Sequence, residues 1–194
     1  MIAYILTLSR PLLAGMLAAL VMWASGQGPL TGKMAVVLLA LMAMEEFTDA
    51  LDGYFARRQG TASLLGGVLD PYVDSISRLA IYLSFAYAGW IHVAVPLVMM
   101  LRDLTVAYTR VVNSVVGAKL GARRSGKLKA IVQGSAMPII IILALAAERL
   151  GPAQLAAGRW VVAGAVLAVT IWSLVDYVVV AWPAVVAMAR RRSS

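Results

Sequence analysis

Apolar residues dominate the chain in six runs, each near the ~20 residues that carry a helix across a hydrocarbon layer. They run from about Thr7 to Ser25, Met34 to Arg57, Gly66 to Tyr87, Ile91 to Val116, Lys129 to Ala147 and Arg159 to Met188. The breaks read GQGPLTG, RQGTAS, AGW, GAKLGARRSGKLK and ERLGPAQLAAG. Gly, Pro and Ser in such breaks punctuate helices at ordinary loop length. The pattern predicts an all-α integral membrane protein, one domain over residues 1–194, with no repeat. The run after Arg10 is bounded like a leader by Ala24, Ser25 and Gly26. Residues 1–9 carry no charged side chain and five further runs follow, so it is read as a retained first helix.

Composition agrees with this reading. Hydrophobic residues make up 62% of the 194 positions, well above the roughly 45–50% of soluble domains, and mean hydropathy is +0.86. The net charge of +8 would point to nucleic acid in a soluble protein. Here it points to cytoplasmic loops and anionic lipid, with no nucleic-acid partner. Numbering the breaks alternately, one side collects Arg10, Arg57, Arg58, Lys119, Arg123, Arg124, Lys127, Lys129, Arg190, Arg191 and Arg192. The other holds Lys33, Arg149 and Arg159. The positive-inside bias places both termini in the cytoplasm. Trp23, Trp90 and Trp160 then fall near the outer interface, as an aromatic belt.

Against this background one stretch stands out, DALDGYFARRQGTASLLGGVLDPYVD, from Asp49 to Asp74. It carries Asp49, Asp52, Asp70 and Asp74. A charged carboxylate at bilayer depth costs about 2.5–3.5 kcal/mol on insertion scales. Asp49, Asp52, Gly53 and Ala56 fall at i, i+3, i+4 and i+7, one stripe of a helix. Gly66, Asp70 and Asp74 fall at i, i+4 and i+8 of the next. Facing each other, the stripes would put four carboxylates around one pocket, suited to two divalent cations clamping phosphoryl oxygens. The chain has no Cys and one His, so the donors are oxygens and a hard cation such as Mg²⁺, Mn²⁺ or Ca²⁺ is expected. Gly53 and Ala56 leave space for a ligand, and Arg57 adds a cation suited to phosphate. Helix-end acids in water and a divalent-cation or proton transporter are the competing readings.

These residues fit D-x2-D-G-x2-A-R-x8-G-x3-D-x3-D at every fixed position: Asp49, Asp52, Gly53, Ala56, Arg57, Gly66, Asp70 and Asp74. The stretch thereby resembles the signature of the CDP-alcohol phosphotransferases. The resemblance implies transfer of a phospho-alcohol group from a CDP-alcohol to an acceptor hydroxyl, with release of CMP. It implies Asp49, Asp52 and Asp70 as ligands of two Mg²⁺ or Mn²⁺ ions, and Asp74 as general base and further metal contact. It implies Asp52, Gly53, Ala56, Arg57, Ser63 and Gly66 as nucleotide-binding positions, and a homodimer.

The segment LRDLTVAYTR followed by GKLKAIVQ, and the opening ILTLSR, resemble the phosphatidylglycerophosphate synthase branch. Tyr4, Asp103 and Ala130 depart from it, where Asn, Glu and Thr are usual. The branch implies CDP-diacylglycerol as donor and glycerol 3-phosphate as acceptor. Inositol phosphate, serine or a lipid alcohol are the alternative acceptors. Arg102 and Arg110, eight apart, with Lys127 and Lys129, are the expected acceptor-binding cations, because a phosphorylated alcohol calls for them. The site is expected at the cytoplasmic ends of the second and third helices, in an inner membrane. Glu45 and Glu46 are expected to pair with Arg78 or Arg110, and Asp176 with an Arg of another helix.

Overall fold

The computed structural model describes residues 2–59, 64–115 and 123–191. They form six helices: α1 (Ile2–Ser25), α2 (Gly32–Gln59), α3 (Leu64–Tyr87), α4 (Ala94–Val115), α5 (Arg124–Leu145, continued by a 3-10 turn, Ala146–Glu148) and α6 (Pro152–Arg191). No strand occurs among the described residues. Helix α1 packs against α2 and α3, and α6 packs against α4 and α5. Helix α5 joins the two groups through α2 and α3, and α3 also meets α4.

The helix ends follow local chemistry. Thr31 Oγ1 accepts the Met34 amide at 3.3 Å and caps α2. Helix α3 closes at Gly89, whose φ of +69° suits a residue without Cβ. There the Trp90 amide donates to the Phe85 carbonyl and the Gly89 amide to the Ala86 carbonyl. The Phe85 and Trp90 rings pack at 5.7 Å, which seals the turn.

Several expected boundaries move: α1 begins at Ile2 rather than Thr7, and three other helix starts shift. Helix α6 begins at Pro152, seven residues before Arg159. Proline suits a first helical position, and the Gln154 side chain turns back to accept the Gly151 amide at 3.1 Å. Helix α4 begins at Ala94 rather than Ile91, because the His92 ring nitrogen Nδ1 accepts the Ala94 amide at 3.2 Å. Helix α5 begins at Arg124, so Lys127 lies within a helix rather than in a loop.

Among the described residues, two helices are long and apolar enough to cross a membrane by length and composition, Arg124–Glu148 and Pro152–Val186. Helix α1 offers a shorter apolar run, Ser9–Ser25. Helices α3 and α4 carry Asp70, Asp74, Arg78, Arg102, Asp103 and Arg110 inside their length, which interrupts their apolar windows. Much of the outer surface is nonetheless apolar: Leu12, Trp160, Val161, Trp172, Val179 and Trp182 are all exposed. A soluble monomer does not tolerate so large an apolar exterior.

The interior is divided along the helix axes. The apolar core is built from Leu17 and Val21 of α1, Leu38 of α2, Ile81 and Phe85 of α3, Val95 and Met99 of α4, and Met137, Ile140 and Ile141 of α5. The buried polar residues are Arg10, Glu45, Ser77, Arg78, Ser84, Arg102, Asn113, Ser125, Lys129, Gln133, Thr170 and Ser173. Ser84 lies among the core residues of α3 and donates to the Ile81 carbonyl at 2.7 Å. The buried charged residues of α1, α3 and α5, Arg10, Arg78 and Lys129, lie on the opposite side of the helix midpoint, or nearer to it, than the core residues. One end of the bundle is oily and the other is charged.

Candidate active site

The charged end gathers around two centres. At the first, Asp74 of α3 is half-buried and held by two guanidiniums. Arg78 Nε, one turn along α3, donates to Asp74 Oδ1 at 2.8 Å, and Arg10 of α1 donates to the same oxygen at 3.3 Å. Arg78 is buried, and its Nη1 donates to the backbone carbonyl of Ala130 on α5 at 2.8 Å. Its Nη2 lies 3.9 Å from the Glu46 carboxylate of α2. Glu46 is thus the acid that meets Arg78. Glu45 is buried, and its Oε2 has no hydrogen-bond partner.

At the second centre, Arg102 of α4 donates to Ser173 Oγ of α6 through Nε at 3.2 Å and Nη2 at 2.8 Å. Its Nη1 donates to Asp103 at 2.7 Å. The buried Lys129 ammonium of α5 donates to Asp103 at 3.1 Å. Arg102 and Arg110 both lie over the buried Tyr177 ring, at 5.2 and 5.9 Å from its centroid, a cation–π arrangement. Gly126 makes the approach possible, since a Cβ there would sit 3.2 Å from the Tyr177 hydroxyl and 3.5 Å from Arg102. The two centres adjoin on α5, where Lys129 directly precedes the Ala130 whose carbonyl accepts from the Asp74-bound Arg78.

Of the four expected acceptor cations, Arg102, Arg110 and Lys129 therefore share one cluster, and Lys127 is exposed beside it. The motif positions 49, 52, 53, 56 and 57 fall on α2, and 66, 70 and 74 on α3. The side chains of 49–69 lie outside the described residues, and so does Ser63. Asp70, exposed, and Asp74 follow one turn apart on α3. No group of three candidate metal ligands occurs among the described residues. The described motif acids, Asp70 and Asp74, supply carboxylate oxygen, which is the donor chemistry of a hard divalent cation.

Beside these centres an open cleft of about 360 Å³ is lined by Arg123, Arg124, Ser125, Trp172 and Asp176. Asp176 is paired there, as expected, with an arginine: Arg123, ahead of α5, donates to it through Nε and Nη2, each at 2.6 Å. These hydrogen bonds raise the Arg123 pKa above its ordinary value. Deeper in the bundle Tyr82 donates to the Gln133 carbonyl at 2.8 Å, and Gln133 Nε2 donates to Thr170 Oγ1 at 3.0 Å.

Several of these residues escape a reading based on the aspartate motif. Thr170, Ser173 and Tyr177 follow at i, i+3 and i+7 on α6. That polar stripe on an otherwise apolar helix was a usable signal. Arg10 gave none, because only the packing of α1 against α3 brings it to Asp74.

The chain matches the CDP-alcohol phosphatidyltransferase family over residues 1–172. It belongs to that family. The CDP-diacylglycerol–glycerol-3-phosphate 3-phosphatidyltransferase of Treponema pallidum is 31% identical over 132 residues, 68% of this chain and 60% of that protein. A Mycobacterium tuberculosis protein named "probable phosphatidylglycerophosphate synthase" is 30% identical over 146 residues, 74% of this chain and 65% of that one. An archaetidylinositol phosphate synthase of Pyrococcus horikoshii is 34% identical over 70 residues, 36% of this chain and 37% of that one. The matches span less than two thirds of the length of each of these CDP-alcohol phosphatidyltransferase relatives.

Proposed function

We propose that this protein transfers the phosphatidyl group of CDP-diacylglycerol to glycerol 3-phosphate, giving phosphatidylglycerophosphate and CMP. The observation that carries the choice of acceptor is the Arg102–Arg110–Lys129 cluster, whose Lys129 immediately precedes the Ala130 carbonyl held by the Asp74-bound Arg78. An acceptor that brings its own phosphate needs such cations beside the reacting carboxylate. The names of the Treponema and Mycobacterium relatives support the same choice.

In this reading the acceptor hydroxyl oxygen attacks the phosphatidyl phosphorus. The bond from that phosphorus to the CMP oxygen breaks, and CMP leaves with the electron pair. Asp74 takes the hydroxyl proton. Arg10 and Arg78 hold its carboxylate ionised and fixed, which suits a base more by positioning than by basicity. Asp49, Asp52 and Asp70, with Asp74, would hold two Mg²⁺ or Mn²⁺ ions, which when bound supply charge stabilisation to the diphosphate. Gly53, Ala56, Arg57, Ser63 and Gly66 seat the nucleotide, and Lys127 extends the acceptor cations at the surface. Phosphoryl transfer asks mainly for positioning and charge stabilisation, which rigid helices provide.

The same reading makes residues 1–194 one domain with six membrane-spanning helices, both termini in the cytoplasm, the charged end facing the cytoplasm from an inner membrane, and two copies forming a homodimer. The test is purified protein with Mg²⁺ or Mn²⁺, CDP-diacylglycerol and an acceptor panel of glycerol 3-phosphate, inositol phosphate, serine and phosphatidylglycerol. CMP release with a phosphatidylglycerophosphate mass is expected. No CMP with any acceptor overturns the transferase reading, and ion flux into proteoliposomes without nucleotide would replace it by transport.

A further inference from the structure

We propose that Arg78 is a positioning residue that braces the carboxylate side of the site on α3 against its cationic side on α5, with Gly134 providing the gap in which it sits. The inference rests on the transferase reading for its effect on turnover, but not for the brace itself. Neutralising a buried guanidinium requires one acid, and Asp74 at 2.8 Å supplies it. The remaining contacts reach other helices. Nη1 donates across the bundle to the Ala130 carbonyl, and Nη2 approaches Glu46 of α2. With Arg10 of α1 on the same Asp74 oxygen, one ion cluster ties α1, α2, α3 and α5.

The planar fork is what allows this. Nε and Nη1 sit at fixed separation, so the Asp74 and Ala130 bonds together set the distance between α3 and α5. A lysine's three donors share one rotatable nitrogen and do not fix the separation of two acceptors. Gly134 lies one turn after Ala130 on the same face of α5. A Cβ at Gly134 would stand 3.1 Å from Arg78 Nη1 and 3.4 Å from the Glu46 carboxylate. Any side chain there pushes on the brace. Ala130 follows Lys129 directly, and Lys129 holds Asp103 of α4. A shift of Arg78 is therefore passed to the ammonium on the acceptor side.

The chain has no cysteine, so spin labels can be placed at Leu83→Cys on α3 and Ile131→Cys on α5, both exposed positions. Electron-electron resonance then reads the α3–α5 distance distribution in the otherwise unchanged chain and in Arg78→Lys, Arg78→Gln and Gly134→Ala. The expected result is a shifted or broadened distribution in all three. In the same variants kcat falls at least about tenfold, while KM for CDP-diacylglycerol stays within about twofold, as misplacement of reacting groups predicts. Gly134→Ala keeps every charge and improves helix propensity, so its loss of kcat cannot be ascribed to a weakened helix. It also stands in for Arg78→Gln if that variant does not fold. Unchanged distances in Gly134→Ala overturn the proposal, whatever happens to kcat, and so does full kcat in Arg78→Lys. If the unmodified protein releases no CMP, the transferase reading fails, and the distance distributions alone decide the brace.

Discussion

A carboxylate that accepts a proton inside a bundle must be ionised, fixed and still reachable. Asp74 meets these demands through two arginines on one oxygen and a side chain 28% exposed. Asp74→Asn keeps the shape and removes the charge. It is expected to lower turnover about 10²- to 10⁴-fold while CMP still binds, measured by CMP release and by calorimetric titration with CMP. Retention of full activity would remove Asp74 as base. In the proposed reaction Lys129 is the counterpart on the acceptor side. Lys129→Met removes the ammonium that would meet the acceptor phosphate and leaves Asp103 with Arg102. Loss of one charge-assisted hydrogen bond to that phosphate, about 1.5–3 kcal/mol, corresponds to roughly a ten- to hundredfold rise in KM for glycerol 3-phosphate. KM for CDP-diacylglycerol should stay within about twofold, and an equal rise in both would contradict an acceptor role.

At the scale of elements, α5 is the helix on which the arrangement turns. It receives Arg78 on the Ala130 carbonyl and Tyr82 on the Gln133 carbonyl from α3, and donates from Gln133 to Thr170 of α6. Thr170→Val removes the acceptor without changing size and leaves the buried Gln133 amide short of a partner. The expected cost is about 1 kcal/mol, in the range of hydrogen bonds between membrane helices. It should appear as a fall of a few degrees in the thermal unfolding midpoint in detergent; an unchanged midpoint would mean that the amide finds another partner. The ends of α5 and α6 also mark where local sequence was informative and where it was not read fully. Gly151, Pro152 and Gln154 spell a helix start, yet lie in a stretch whose glycines and polar residues resemble a loop. The His92 cap of α4 needs a ring nitrogen turned onto an amide, which no spacing rule specifies.

For the whole molecule, the separation of an apolar core from a charged end matters more than any single pair. Antiparallel helices of alternating direction place the C-terminal half of α1 and the N-terminal half of α2 at one level, and the Arg10, Asp74 and Lys129 levels at the other. The absence of native cysteine makes orientation directly testable. Gln27→Cys and Ala153→Cys should react with an impermeant maleimide added outside intact cells, and Arg124→Cys only after permeabilisation. The reverse labelling would place the charged end on the outer face. Six helical runs and the spacing of the aspartates were legible in the sequence, because helix period acts locally. The pairing of Arg10 with Asp74, of Arg102 with Ser173 and Tyr177, and of Arg78 with the Ala130 carbonyl was not. Those contacts join residues 52 to 75 positions apart, and which helix turns which face toward α5 depends on how all six pack. By itself the sequence determined a helical chain with costly acids at fixed spacing. Only the tertiary structure decided which cations offset Asp74, Asp103 and Asp176, because a buried charge takes as partner whatever the packing of distant helices brings within hydrogen-bond reach.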